Sequence, residues 1–137
     1  MLRFAAIPIA LSLAACATTT PPAEQTIAVA GSITYRERVA LPPTAQIEVT
    51  LADVSLADAP SRTLASQSFA GEGRQVPIAF SLTVDRADID PKHSYAVSAR
   101  ITGPDGKLMF ITDTRNSVAF GSGSTVDMGT LVLVKTR

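Results

Sequence analysis

Between Val76 and Val84 the chain alternates without interruption: Val76, Ile78, Phe80, Leu82 and Val84 fall on one parity, and Pro77, Ala79, Ser81 and Thr83 on the other. A period of two sends one set to a single face of a β-strand, whereas on a helix the same residues would scatter around the axis. The period recurs along the chain. Ile27, Val29, Ile33 and Tyr35 alternate with Ala28, Ala30, Ser32 and Thr34, with Gly31 marking a bulge. Ile47, Val49 and Leu51 alternate with Gln46, Glu48 and Thr50, and Tyr95, Val97, Ala99 and Ile101 with Ala96, Ser98 and Arg100. No stretch of comparable length carries a helical period.

Turn residues separate these runs at regular intervals. Pro42-Pro43 lies in a loop over 37–44, the segment 53–61 turns the chain before a weaker strand at 62–69, and Gly71-Glu72-Gly73 makes the next turn. Gly103-Pro104-Asp105-Gly106 joins the Tyr95 strand to Leu108–Ile111 as a β-hairpin. Gly121-Ser122-Gly123-Ser124 precedes a last strand around 128–134. Six to eight short strands, no amphipathic helix and no internal repeat predict one all-β domain. Its expected form is a single antiparallel β-sandwich with Greek-key connections, immunoglobulin- or transthyretin-like, over residues 26–137. Pro77 cannot donate to a ladder, so its strand is expected at an edge or with that nitrogen outward. Ile89-Asp90-Pro91 shortly before Tyr95 has the spacing of a tyrosine corner, which makes Tyr95 a packing residue.

The first 25 residues follow different rules. Met1–Arg3 is a short cationic start, Phe4–Leu13 is almost wholly apolar, and Ala14-Ala15 supplies small residues before Cys16. This is the layout of a secretory signal peptide, and the apolar run is too short to span a bilayer. Leu13-Ala14-Ala15-Cys16 resembles the lipobox of bacterial lipoproteins, in which the chain is cut between Ala15 and Cys16 and the cysteine is acylated. Residues 1–15 are therefore expected to be a cleaved leader. Residues 16–25, with Thr18-Thr19-Thr20-Pro21-Pro22, form a flexible tether reaching about 30 Å at most. Residue 17 is Ala rather than Asp, and the resemblance implies sorting to the outer membrane, facing the periplasm.

Composition narrows the chemistry. Cys16 is the single cysteine, so no internal disulfide can form and the core alone must hold the fold. Twelve Lys and Arg balance twelve Asp and Glu, with no clustered basic stripe, which argues against nucleic-acid binding. The one histidine, His93, lies in Asp-Pro-Lys-His-Ser near Asp88 and Asp90. A hydrolase built around it is the weakest reading, because nothing resembles a nucleophile elbow. Asp85, Asp88 and Asp90 lack EF-hand spacing, and neither glycine-rich turn has the form of a phosphate loop, so no metal or cofactor is expected. The run Tyr35-Arg36-Glu37-Arg38, continuing to Leu41 through Val39-Ala40, places charges beside apolar residues. It is the candidate partner-binding rim.

Four segments in order carry a family resemblance: GSITYRERVALPP (31–43), VTLADVSLADAP (49–60), QVPIAF (75–80) and YAVSARI (95–101). They resemble the YbaY family of outer-membrane lipoproteins, grouped with YscW, the lipoprotein chaperone or pilotin of type III secretion. The resemblance implies a seven- or eight-stranded sandwich on a lipid tether and, for the pilotin branch, escort of a secretin subunit. It brings no catalytic residue. The expectation is a non-enzymatic, lipid-anchored module that binds another envelope protein. The alternative is a carrier of a lipid or small apolar ligand between its sheets, prompted by an aromatic-poor interior.

Overall fold

The computed structural model describes residues 26–56 and 58–137; the expected leader, Cys16 and tether lie outside them. Among the described residues, eight strands follow one another: β1 (Thr26–Tyr35), β2 (Gln46–Asp53), β3 (Arg62–Ala70), β4 (Ile78–Asp85), β5 (Tyr95–Thr102), β6 (Leu108–Ile111), β7 (Asn116–Val118) and β8 (Thr125–Lys135). One turn of 3-10 helix at Arg86–Asp88 links β4 to β5.

The strand order is β3-β2-β5-β6-β8-β1-β4, with β7 also on β5. One half of the sandwich is β4-β1-β8 and the other β3-β2-β5 with β6 and β7. The halves join where β6 meets β8, at Phe110↔Lys135 and Ile111↔Val134. At the opposite seam β3 and β4 approach without a ladder, and the Ser81 N–H donates to the Gln67 side-chain oxygen at 3.2 Å. The sheet is thus nearly closed, which leaves its two edges little exposed backbone. Pro77 directly precedes β4, one of those edges, as its missing donor requires.

One ladder departs from the expected antiparallel sandwich: β1 and β8 run parallel. The loop after β7 returns the chain to the end where β1 begins, so the last strand enters beside β1 in the same direction. Register slips between Ala30 and Ser32 in that ladder, which is the bulge at Gly31. A Cβ at Gly31 would lie 2.7 Å from the Gly129 carbonyl oxygen, and Gly129 itself has φ +66°. Two glycines therefore let the strands close here, where backbone rather than a yielding side chain stands in the way.

Alternation sets what is buried. In β4, Ile78, Phe80, Leu82 and Val84 point inward and the residues between them outward, and β2 and β5 supply Ile47, Val49, Leu51, Val97, Ala99 and Ile101 from the facing sheet. Tyr95 behaves as a tyrosine corner, its phenol oxygen accepting the Asp90 N–H at 2.8 Å while Phe120 packs edge-on against the ring.

The strands define two poles. The starts of β1, β5 and β8 and the ends of β2 and β4 meet at one, where the described residues begin at Thr26. The ends of β1, β5 and β8 meet at the other, with the loops at 36–45, 71–77 and 103–107. Ten residues of β1 separate the poles by about 30 Å.

Candidate functional site

The residues of the expected rim divide by parity. Tyr35 continues the inward parity of β1 and is buried, stacking on Phe110 with ring centroids 4.1 Å apart and planes within 8°. Burial, with the Glu37 carboxylate nearby, raises its phenol pKa above the usual value. Leu41 is also buried, its N–H donating to the Gln75 side-chain oxygen at 2.9 Å. Both lie beneath a rim rather than on it. Arg36 and Arg38 are exposed and Glu37 half-buried. Arg36 and Glu37 line a cleft of about 330 Å³ with Asp113, Thr114 and Val132.

What the two buried residues do is fix the loop between them. The Tyr35 hydroxyl donates to the Val39 carbonyl at 2.7 Å, while Gly71 N–H donates to Ala45 O and Glu72 N–H to Pro43 O. Val39 is thereby held at the surface with 47% of its area exposed. Across from it is Leu108, which shares the parity of Phe110 but lies past a register slip between Ile101 and Thr102, at the open end of the core. It is 39% exposed. The last residues complete the wall, with Thr136 N–H donating to Met109 O at 2.9 Å and its hydroxyl bonded to Leu108 O.

Together these segments enclose a groove of about 500 Å³ at the pole far from Thr26. Val39, Ala40, Pro42, Leu108, Met109 and Phe110 form its apolar surface. Lys107, Lys135 and Arg137 stand at its edges, and no carboxylate side chain lines it. Val39 and Ala40 were legible as apolar residues beside charges. The partners brought from β6 and β8 were not, because 68 residues or more separate them in sequence.

His93 is placed at the opposite pole, where β1 begins. Its Nδ1 is 2.7 Å from Asp53 Oδ2, and its Nε2 is 3.6 Å from Asp90. The Ser55 hydroxyl donates to Asp53 Oδ1 at 2.6 Å and accepts the Ser94 N–H at 2.8 Å. A Ser-His-Asp site needs the hydroxyl on the histidine, yet here both ring nitrogens face carboxylates and the hydroxyl is bonded to Asp53. The cluster is a clip that fastens the start of the β2–β3 loop to the turn before β5. Hydrogen bonds from the Ser55 hydroxyl and N–H, followed by the contact with His93, hold the Asp53 carboxyl at a pKa of about 2. Because the folded value lies below the ordinary carboxylate range, the clip's contribution is full above about pH 4 and is lost as pH falls through about 2. Wild type should therefore lose stability between those values more steeply than Asp53→Asn. Urea melts of both proteins across that range check this, and parallel profiles would remove Asp53 as the cause.

The described residues thus form a small all-β domain with a packed interior, an apolar groove at one pole and a histidine tied between carboxylates. Comparison with known proteins gives its family. Residues 24–129 match the family described as type III secretion system lipoprotein chaperone (YscW), and the chain belongs to that family. It is 41% identical to the uncharacterized lipoprotein YbaY of Escherichia coli, over 93% of this chain and 75% of the relative. The fold is similar to that of an alternative pilotin from the type II secretion system of Vibrio cholerae. That match has a TM-score of 0.70 and 46% identity, and it covers 81% of this chain and 99% of the other.

Proposed function

We propose that this chain is a lipid-anchored, chaperone-like binding module of the bacterial envelope, acylated at Cys16 on the inner face of the outer membrane, and that it docks a partner protein in the groove beneath Val39 and Leu108. The observation that carries the docking is the groove itself. Val39 and Leu108 stay exposed although Tyr35, Leu41 and Phe110 close by in sequence are buried, and the Tyr35 and Thr136 hydrogen bonds hold the walls in place. Preformed apolar surface of this size favours binding with little ordering cost. The pilotin-like relatives point to escort of a secretin-like subunit as the kind of work done. A role without catalysis agrees with the bonding of His93 and Ser55. A carrier of lipid between the sheets would have to displace Ile27, Val29, Ile47, Val49 and Phe110, each at most 1% exposed.

The test is a double variant, Val39→Asp with Leu108→Asp. Both positions are exposed in the free protein, so its thermal midpoint should stay within a few degrees of wild type. Burying the exposed parts of both side chains against a partner is worth roughly 1–3 kcal/mol, and a carboxylate in their place must also be desolvated, so capture of the envelope partner should fall by tenfold or more. Unchanged capture by a well-folded variant would place docking elsewhere.

A further inference from the structure

The edges of the groove specify the chemistry of its occupant. We infer that it takes a short amphipathic segment of another protein whose apolar face is flanked by aspartate or glutamate. This rests on the docking reading above and adds the sign of the charge.

Lys107, Lys135 and Arg137 line the groove, and Arg38 is exposed beside Val39. Among the described residues none of these four forms an ion pair, unlike Arg100, which pairs with Glu48 at 3.1 Å. A segment with only apolar side chains would leave these cations beside a desolvated surface without counter-charges, and a basic segment would be repelled. Carboxylates flanking an apolar stripe meet both demands, and helix-in-groove recognition is a known way to present an apolar face with charges beside it.

An anionic lipid surface has the same charge, but the geometry disfavours it. The groove opens at the pole about 30 Å from the point where the tether enters. The end where β1 begins, nearest the anchor, mixes Asp58, Asp85, Asp88 and Asp90 with Arg62, Arg86 and Lys92, so separation from the anchor rather than charge is what sets the groove apart from the bilayer.

A photoreactive residue at position 39 of the anchored, full-length protein in its own envelope tests the inference. The expected product is a crosslinked peptide with Asp or Glu on either side of an apolar stripe. Its yield should drop at least tenfold in Lys107→Glu/Lys135→Glu and fall steadily as salt is raised from 20 to 300 mM. A crosslinked segment that is neutral or basic, or a yield indifferent to charge reversal, overturns the acidic chemistry and leaves docking intact. A phospholipid as the main product overturns it in favour of the membrane. No product at all from position 39 removes the docking reading together with this inference.

Discussion

Phe110→Ala is expected to destabilise the domain by about 3–5 kcal/mol, the range for truncating a buried aromatic and leaving part of its volume empty. Phe110 is 1% exposed, and its ring stacks on Tyr35. Its position multiplies the effect. It sits on β6, opposite Ile101 on one side and Lys135 on the other, in the ladder that joins the two halves of the sandwich through two residue pairs. Without the ring, that short ladder loses its packing and Tyr35 loses the surface that orients its hydroxyl toward Val39. For a domain whose total stability is on the order of 5–15 kcal/mol, such a loss lowers the thermal midpoint by roughly 10–25 °C. Phe110→Leu, which keeps most of the volume, should cost less than half as much. Chemical denaturation of the three proteins decides the matter. A Phe110→Ala variant within 1 kcal/mol of wild type would show that the join between the halves depends on something other than this stack.

Most of the fold could be read from alternation because nearly every strand buries one face. Ile27, Val29, Ile33 and Tyr35 share a parity and are all buried, and the glycine among them is the bulge. The hairpin at Gly103–Gly106 and the corner at Tyr95 follow from local chemistry and stand where it put them. What alternation cannot convey is direction and partnership. The parallel pairing of β1 with β8 depends on the whole path of the chain, and β7, at three residues, is too short to show a period. At the rim residue type and parity pull apart. Tyr35 and Leu41 have side chains favoured at interfaces, yet the parity of β1 turns Tyr35 inward and both are buried, while their neighbours Val39 and Ala40 reach the groove. Lys107, Leu108, Lys135 and Arg137 join them only once β6 and β8 are side by side.

The second large effect concerns the anchor. Acylation at Cys16 predicts that a palmitate analogue supplied to cells labels the wild type and leaves Cys16→Ala without label, since the sulfur and the new amino terminus it exposes are the attachment points. Incorporation of label is the decisive readout, and sedimentation is not. An unprocessed leader keeps the apolar run Phe4–Leu13, which can hold a precursor at a membrane without any lipid. Replacing the leader with that of a freely secreted protein, in the Cys16→Ala background, separates the two causes: the domain should then fractionate as soluble, with an unchanged melting curve, because the core lies within residues 27–133. The change in membrane affinity should be close to all-or-none. Each buried methylene contributes about 0.8 kcal/mol, so a single chain binds only reversibly, whereas two or more make release negligible. Equal labelling of both proteins would refute acylation at Cys16 and, with it, the lipid anchor on which the proposed location rests.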